Sequence, residues 1–424
     1  MTPESSIYLH IPFCTHRCAY CDFNTYAWQE EMIPAYVDAL CKEIEFVGRG
    51  AEWSGNEDET QVHTIFFGGG TPSLLTPTQF ETIFNAIRAN FALTNDVEIT
   101  IEANPGTVKE DSLRQLREIG INRISFGVQS ANGFELRMLE RAHTFFDVIE
   151  AVTSARKAGF DNLNLDLIYG LPEQTLQAWQ TTVKRILDLH PEHISAYALT
   201  LEHGTPFGKW ASKGLLPLPD PDLAAEMYDW AGGTFEANGY EQYEISNWAK
   251  DVEKPALSLS KGQKSKVKTS TFDFQPLTPA FACRHNLQYW RSLPYLAFGA
   301  GSHGYANGYR YSNALRIKTY VDRITNYHLP NTDFSFPLTP ATVNHHKQSL
   351  KDDITDYMIN NLRLVQAGVA DSDFRSRFGS GLMEMYGSEI GELLRLGLLE
   401  EDRDVIRLSR RGRLLGNQVF LRFV

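Results

Sequence analysis

The sequence predicts an α/β fold: a partial (β/α)6 barrel followed by a small helical, winged-helix-like C-terminal domain. Three observations predict it. Strand-like and helix-like patterns alternate six times between Ile7 and Glu236, as a parallel sheet with crossover helices requires. Six repeats fall short of the eight that close a barrel, so the sheet stays open. Beyond Thr342 the chain reads as helical and ends in a β-turn and a last helix.

Apolar alternation marks strands, and apolar positions three or four apart mark helices. Ile7–Ile11 alternates Ile7, Leu9 and Ile11 with Tyr8 and His10, and a helix follows near Ile33–Val47. Val62–Phe67 precedes a helix over Pro77–Phe91, and Val97–Glu102 precedes Glu110–Ile119. Arg123–Gln129 leads into one long helix, Phe134–Lys157. Leu163–Ile168 leads into Leu176–Leu187, and His193–Leu199 into Pro221–Glu236. Successive side chains of a strand face opposite sides. The apolar face packs on the helices. The other carries Tyr8, His10, Glu102, Arg123, Ser125, Gln129, Asn164 and Asp166. Small closed barrels are filled by aliphatic side chains. A polar lumen therefore points to a cavity for a polar ligand, with an antiparallel sheet wet on one face as the plainer alternative.

Residues 1–248 form the predicted barrel, with Tyr240–Ser246 as a further strand. Residues 249–282 read as a flexible insertion: PALSLSKGQKSKVKTST has too little apolar surface to repay ordering. Residues 283–330 extend the barrel, with a helix near Leu315–Thr325 and a proline-containing linker over Leu329–Pro340. Residues 331–424 make the C-terminal domain, with Asp356–Leu364, Leu393–Leu399 and Val405–Leu408 before a last helix, Arg410–Phe420. Arg410, Arg411 and Arg413 read as a solvated helix face.

The chain has 424 residues, enough for two or three domains. Forty basic against fifty-two acidic residues give a net charge of −12, which argues against coating nucleic acid or anionic membrane. No apolar run approaches the roughly 20 residues of a membrane span. Met1 to Ser6 hold no Lys, Arg or long apolar stretch, so no signal peptide is expected. A cytoplasmic protein with reduced thiols follows.

Three of the five cysteines, Cys14, Cys18 and Cys21, fall within eight residues just after the first strand, at the active end of such a barrel. Three thiolates of one short loop can hold three irons of a [4Fe–4S] cluster and leave the fourth open to an outside ligand. Zinc, which favours four ligands on paired C-x2–4-C arms, and unligated thiols stay as alternatives here. Cys41 has apolar neighbours Val37, Leu40 and Ile44 and reads as core. Gly68-Gly69-Gly70-Thr71 follows the second strand; glycine lets backbone approach a ligand closely, though the run alone is weak evidence.

C-x3-C-x2-C after strand one resembles the radical S-adenosylmethionine (SAM) superfamily. YLHIPFCTHRCAYCDF, FFGGGTPSLL, TIEANPGT, RISFGVQS, NLDLIYGLP and ISAYALTLE resemble the oxygen-independent coproporphyrinogen III oxidase family. The resemblance spans the chain outside 250–281. It implies a radical SAM barrel with a HemN-type C-terminal domain. It also implies a [4Fe–4S] cluster on Cys14, Cys18 and Cys21, and SAM contacts from Tyr8, Tyr20, Gly69, Gly70, Thr71, Glu102, Gln129, Arg141, Asp166, Ala198 and His303. In such proteins the cofactor supplies the hard chemistry, a 5′-deoxyadenosyl radical, and the chain orients and shields it.

Two departures separate this chain from the true oxidases of porphyrin biosynthesis. Phe23 stands where they carry a fourth cysteine, and the sequence starts almost at strand one, without their extension. Both match the HemW-type haem chaperones within the family. His285-Asn286-Leu287-Gln288-Tyr289-Trp290 reads HNxxYW, a mark of that group. Histidine ligates haem iron and aromatic rings pack on porphyrins, which makes His285, Asn286, Tyr289 and Trp290 the expected haem residues, with Cys283 as a thiolate alternative. The partners implied are haem or a porphyrin and a haem-acceptor protein; a homodimer is compatible with the sequence.

Overall fold

The computed structural model describes residues 5–50, 61–251, 278–327 and 334–424. Most of the predicted insertion, and the first residues of the predicted linker, lie outside the described residues.

Twelve strands form one sheet: β1 (Ser5–Ile11), β2 (Gln61–Gly69), β3 (Ala92–Ala103), β4 (Arg123–Gln129), β5 (Leu163–Tyr169), β6 (His193–Ala198), β7 (Tyr240–Glu244), β8 (Asn247–Lys250), β9 (Tyr295–Phe298), β10 (His303–Ala306), β11 (Tyr309–Asn313) and β12 (Thr342–Lys347). Their order across the sheet is β12-β11-β10-β9-β1-β2-β3-β4-β5-β6-β8-β7. β1 to β6 are parallel neighbours, as predicted. β9 adds in parallel on the other side of β1, and antiparallel strands finish both edges.

The strand parities explain the layering. Ile7, Leu9 and Ile11 of β1, Ile124 and Phe126 of β4, and Leu163, Leu165 and Leu167 of β5 are wholly buried in one core with the crossover helices. Each such side chain contributes roughly 1.5–3 kcal/mol. The helix Pro77–Asn90 shows how local signals agree: Pro77 opens it, Thr76 and Gln79 form a capping box, and Phe80, Ile83, Phe84 and Ile87 face the core.

The long helix predicted over Phe134–Lys157 is two helices, Gly133–Met138 and Phe145–Lys157. Asn132 caps the first and Thr144 the second, while Glu140 between them takes φ = 54°. The apolar period runs on through Leu139, which hid the break; Leu139 is buried in a separate small cluster with Ala19 and Phe207.

Thr342–Lys347, predicted helical, is instead the edge strand β12, paired to β11; the helix starts at Leu350, capped by Ser349. Beyond it, helices Leu350–Asn361, Asp371–Phe378 and Leu382–Arg395 pack with a three-stranded sheet of Val369–Ala370, Leu399–Asp402 and Val405–Leu408 around their own core, which is the winged-helix-like arrangement expected. The last helix is interrupted at Leu415 into Arg410–Leu414 and Gly416–Phe420. A Cβ on Gly412 would lie 1.9 Å from the Leu398 carbonyl oxygen, so only glycine lets this helix press on the strand connection. Arg410 and Arg411 are exposed, as a solvated helix face requires, and Arg413 is half-buried. They bond to Asp229, the Leu396 carbonyl and Gln242 respectively, and the first and last tie this domain to the barrel. No described helix is long and apolar enough to cross a membrane.

Candidate cofactor site

The loop after β1 is closed by a short parallel pairing of Phe13–Cys14 with Tyr26–Ala27. His10 Nε2 donates to the Asn24 carbonyl at 2.9 Å, and Asn24 Nδ2 donates to the carbonyls of Ala300 and Leu315, both at 3.0 Å. Held at both ends, the loop presents Cys14, Cys18 and Cys21 as free, half-buried thiols around one cavity. Thr71 Oγ1 donates to Cys14 Sγ, and Arg141 Nη1 to Cys18 Sγ, each at 3.6 Å. Burial pushes the Cys14 thiol up to about 11, and raises Cys21 too, so bare protein holds them protonated. A bound metal would reverse that, because it takes up the thiolate form.

The cavity is built from strand ends. Gly69 adopts φ = +111°, and a Cβ there would fall 2.5 Å from the His10 ring; one on Gly70 would fall 2.6 Å from the Phe13 carbonyl oxygen. Bare backbone is therefore required beside the thiols. Glu102 Oε2 accepts from the Gly69 N–H at 3.0 Å. Burial, reinforced by Asp166, pushes the Glu102 carboxyl up to about 7. Asp166 accepts from Ser125 Oγ and Asn164 Nδ2 at 2.8 Å; burial raises it as well. Below it, Asn164 Oδ1 meets His193 Nδ1 at 2.6 Å, and His193 Nε2 meets the Tyr243 hydroxyl at 2.9 Å. Hydrogen-bonded polar side chains thus occupy the lumen below Asp166.

Arg141 comes from the break between the two helices after β4. Its Nη2 donates to the Gly127 carbonyl at 2.6 Å and to Asn104 Oδ1, while its buried Nε has no partner among the described residues. A guanidinium lining the cavity suits an anionic group.

Of the predicted SAM residues, Tyr20, Gly69, Gly70, Thr71, Glu102, Gln129, Arg141 and Asp166 line this cavity together with the three cysteines. Tyr8 sits behind it, its hydroxyl 3.0 Å from His10 Nδ1. Ala198 is at the exposed end of β6, outside the lining, and His303 lines a neighbouring cleft. Phe23 is exposed on the cavity rim. Asn104 and Ser125 also line the cavity, beyond the residues that the family resemblance implies. Ser125 was legible from its strand parity; Asn104 lies in the quoted string TIEANPGT.

The HNxxYW residues stand elsewhere, on the helix Arg284–Trp290. Glu98 of β3 accepts from the first backbone N–H groups of that helix, those of Arg284 and His285, at 3.2 Å. His285 is buried. Thr64 Oγ1 donates to Ser6, so at 2.7 Å it accepts from His285 Nδ1; Nε2 accepts from the Tyr289 hydroxyl at 2.8 Å. Burial depresses this imidazole to about 3. Trp290 lies under the Arg363 guanidinium at 4.3 Å, and Asn286 bonds Tyr243. Cys283 is buried with its S–H on Glu98, 3.7 Å away, and burial pushes its thiol up to about 12. Cys41 is half-buried against the main core.

The Radical SAM superfamily description matches residues 8–186, and the HemN C-terminal domain description matches residues 348–415. "Heme chaperone HemW" of Bacillus subtilis (strain 168) is 36% identical over 420 residues, covering 99% of both chains. The protein of that name from Lactococcus lactis subsp. lactis is 33% identical over 99% of this chain and 97% of its own. The chain belongs to the HemW family of radical SAM proteins. The HemW family shares its fold with Escherichia coli coproporphyrinogen III oxidase (HemN), whose structure superposes with a TM-score of 0.77 at 24% identity, covering 100% of this chain and 90% of that one. Membership of the radical SAM superfamily implies a [4Fe–4S] cluster and SAM. Three free thiols on one loop, bare glycine backbone and the Arg141 guanidinium beside them fit that pair.

Proposed function

We propose that this chain is a cytoplasmic haem chaperone: it binds haem, carries a [4Fe–4S] cluster with exchangeable SAM, and hands haem to an acceptor protein. The observation that carries this is full-length likeness to proteins named for that role, at 36% identity over 99% of both chains. Phe23 agrees with it, since an exposed ring on the cavity rim cannot act as a further thiolate.

In this reading Cys14, Cys18 and Cys21 hold the cluster. The backbone of Gly69 to Thr71 and the carboxylate of Glu102 receive the amino end of SAM. Arg141 pairs with its carboxylate, and Asp166 accepts from ribose hydroxyls. When bound, the pair supplies one-electron chemistry; the chain's part is to orient it and exclude water.

The test is anaerobic reconstitution of the full chain, followed by haem titration monitored by absorbance and a separate incubation with coproporphyrinogen III, SAM and a reductant. Haem binding without conversion of coproporphyrinogen is expected. Formation of protoporphyrinogen would overturn the chaperone reading in favour of an oxidase. Cys18→Ala is expected to abolish the cluster, read as iron and sulfide content, while haem titration is unchanged.

A further inference from the structure

Asn104 stands where β3 ends and is followed by Pro105, which holds it extended at φ = −89° and ψ = 137°. It opens the short turn Pro105–Thr107, a place where asparagine ordinarily caps with its own side chain. Here it makes no such cap. The turn closes on the Asn104 carbonyl instead, which accepts from Thr107 N at 3.0 Å and from Thr107 Oγ1 at 2.8 Å. The side-chain amide is left for the cofactor cavity, which it lines.

There it joins two loops. Arg141 Nη2 donates to Asn104 Oδ1, and Asn104 Nδ2 donates to Thr71 Oγ1 at 2.9 Å. The direction of this chain is forced. A guanidinium has no acceptor, so Asn104 turns its oxygen to Arg141 and its amino group to Thr71. The Thr71 oxygen accepts on that side, which leaves its proton for Cys14 Sγ, 3.6 Å away. Arg141 Nη1 donates to Cys18 Sγ at the same 3.6 Å. One amide therefore links the two donors that reach Cys14 and Cys18. Gly127 leaves room for the link: a Cβ there would fall 3.1 Å from Arg141 Nη2 and 3.5 Å from Asn104 Oδ1.

We propose that Asn104 is a positioning residue for the cluster: it aims the Thr71 hydroxyl at Cys14, steadies Arg141 on Cys18, and so raises the potential at which the cluster accepts an electron. This rests on the cluster assignment above. Hydrogen bonds to cysteine sulfur favour the more negative, reduced state of an iron–sulfur centre. Asn104→Asp keeps the shape of the side chain but has no donor. Its second oxygen takes the Thr71 proton, and Cys14 loses its hydrogen bond.

Redox titration of the anaerobically reconstituted full chain without SAM, followed by electron paramagnetic resonance, tests this. Asn104→Asp is expected to move the midpoint to more negative potential, with a reduced-to-oxidised ratio about tenfold lower at fixed potential, or about 59 mV for one electron. Thr71→Val moves it the same way, and Thr71→Ser, which keeps the hydroxyl, holds the wild-type value. In the Thr71→Val background Asn104→Asp has a markedly smaller effect, since no hydroxyl is left to turn. Asn104→Ala, read in the same two backgrounds, removes the amide without adding charge and replaces the aspartate variant if that one takes up no iron. An unaltered midpoint in the loaded Asn104 variant, or shifts that add in full in the double variant, would overturn the role of Asn104 and leave the cluster assignment standing. If the wild type takes up no iron and sulfide, the assignment falls and the role falls with it.

Discussion

At the scale of single residues, the barrel interior is governed by buried ionisable groups. His285 is held near 3 by burial against an ordinary 6.5. Between those values the unfolded chain binds the extra proton and the native one does not. The stability His285 contributes is therefore whole above about 6.5 and is lost as pH falls toward 3, at up to about 1.4 kcal/mol per pH unit. Urea unfolding of His285→Gln is expected to show its largest cost relative to wild type at pH 7.5 and a smaller one at pH 5. Glu43 has the opposite sign. It is buried in the first helix, accepts from Gly299 N, Asn313, Tyr320 and Thr339, and burial raises it to about 7. Its stability contribution is present below its ordinary 4.5 and is lost as pH rises through 7. The cost of Glu43→Gln should thus shrink from pH 5 to pH 8. Gly70→Ala places a methyl 2.6 Å from the Phe13 carbonyl, so iron content after reconstitution should fall well below that of wild type. The cysteine ligands were legible because they share one loop. Glu43 was not, since its partners come from 299, 313, 320 and 339 and leave no local pattern.

At the scale of elements, six strands and their helices were legible because each buries one regular face. The four strands β9 to β12 were not. They are four to six residues long, and pairing with β1 from nearly 290 residues away gives β9 its place. Breaks were harder to read than elements. The turn carrying Arg141 is set by capping at Asn132 and Thr144, both plain in the sequence, but the apolar period through Leu139 overrode them. Thr144→Ala removes the capping box with Asp147 and should cost about 1 kcal/mol in thermal unfolding. In the C-terminal domain, Gly412→Ala would drive a methyl into the Leu398 carbonyl. A loss of about 2–4 kcal/mol is expected, read as a lower melting temperature with cluster loading retained.

At the scale of the molecule, one cation holds three parts together. Arg363, in the turn just past the first C-terminal helix, stacks on Trp290 at 4.3 Å and pairs with buried Glu244 of β7 at 3.7 Å. Arg363→Ala leaves that carboxylate without its cation, a change worth about 3 kcal/mol or more. Backbone hydrogen exchange across residues 350–424 should speed up, while exchange in β1 to β5 holds.

The side chains that fill the lower lumen carry a further consequence. Asn164, His193 and Tyr243 form a hydrogen-bonded stack beneath Asp166. A ligand resting on Asp166 therefore meets a floor of polar side chains whose own hydrogen bonds are already made.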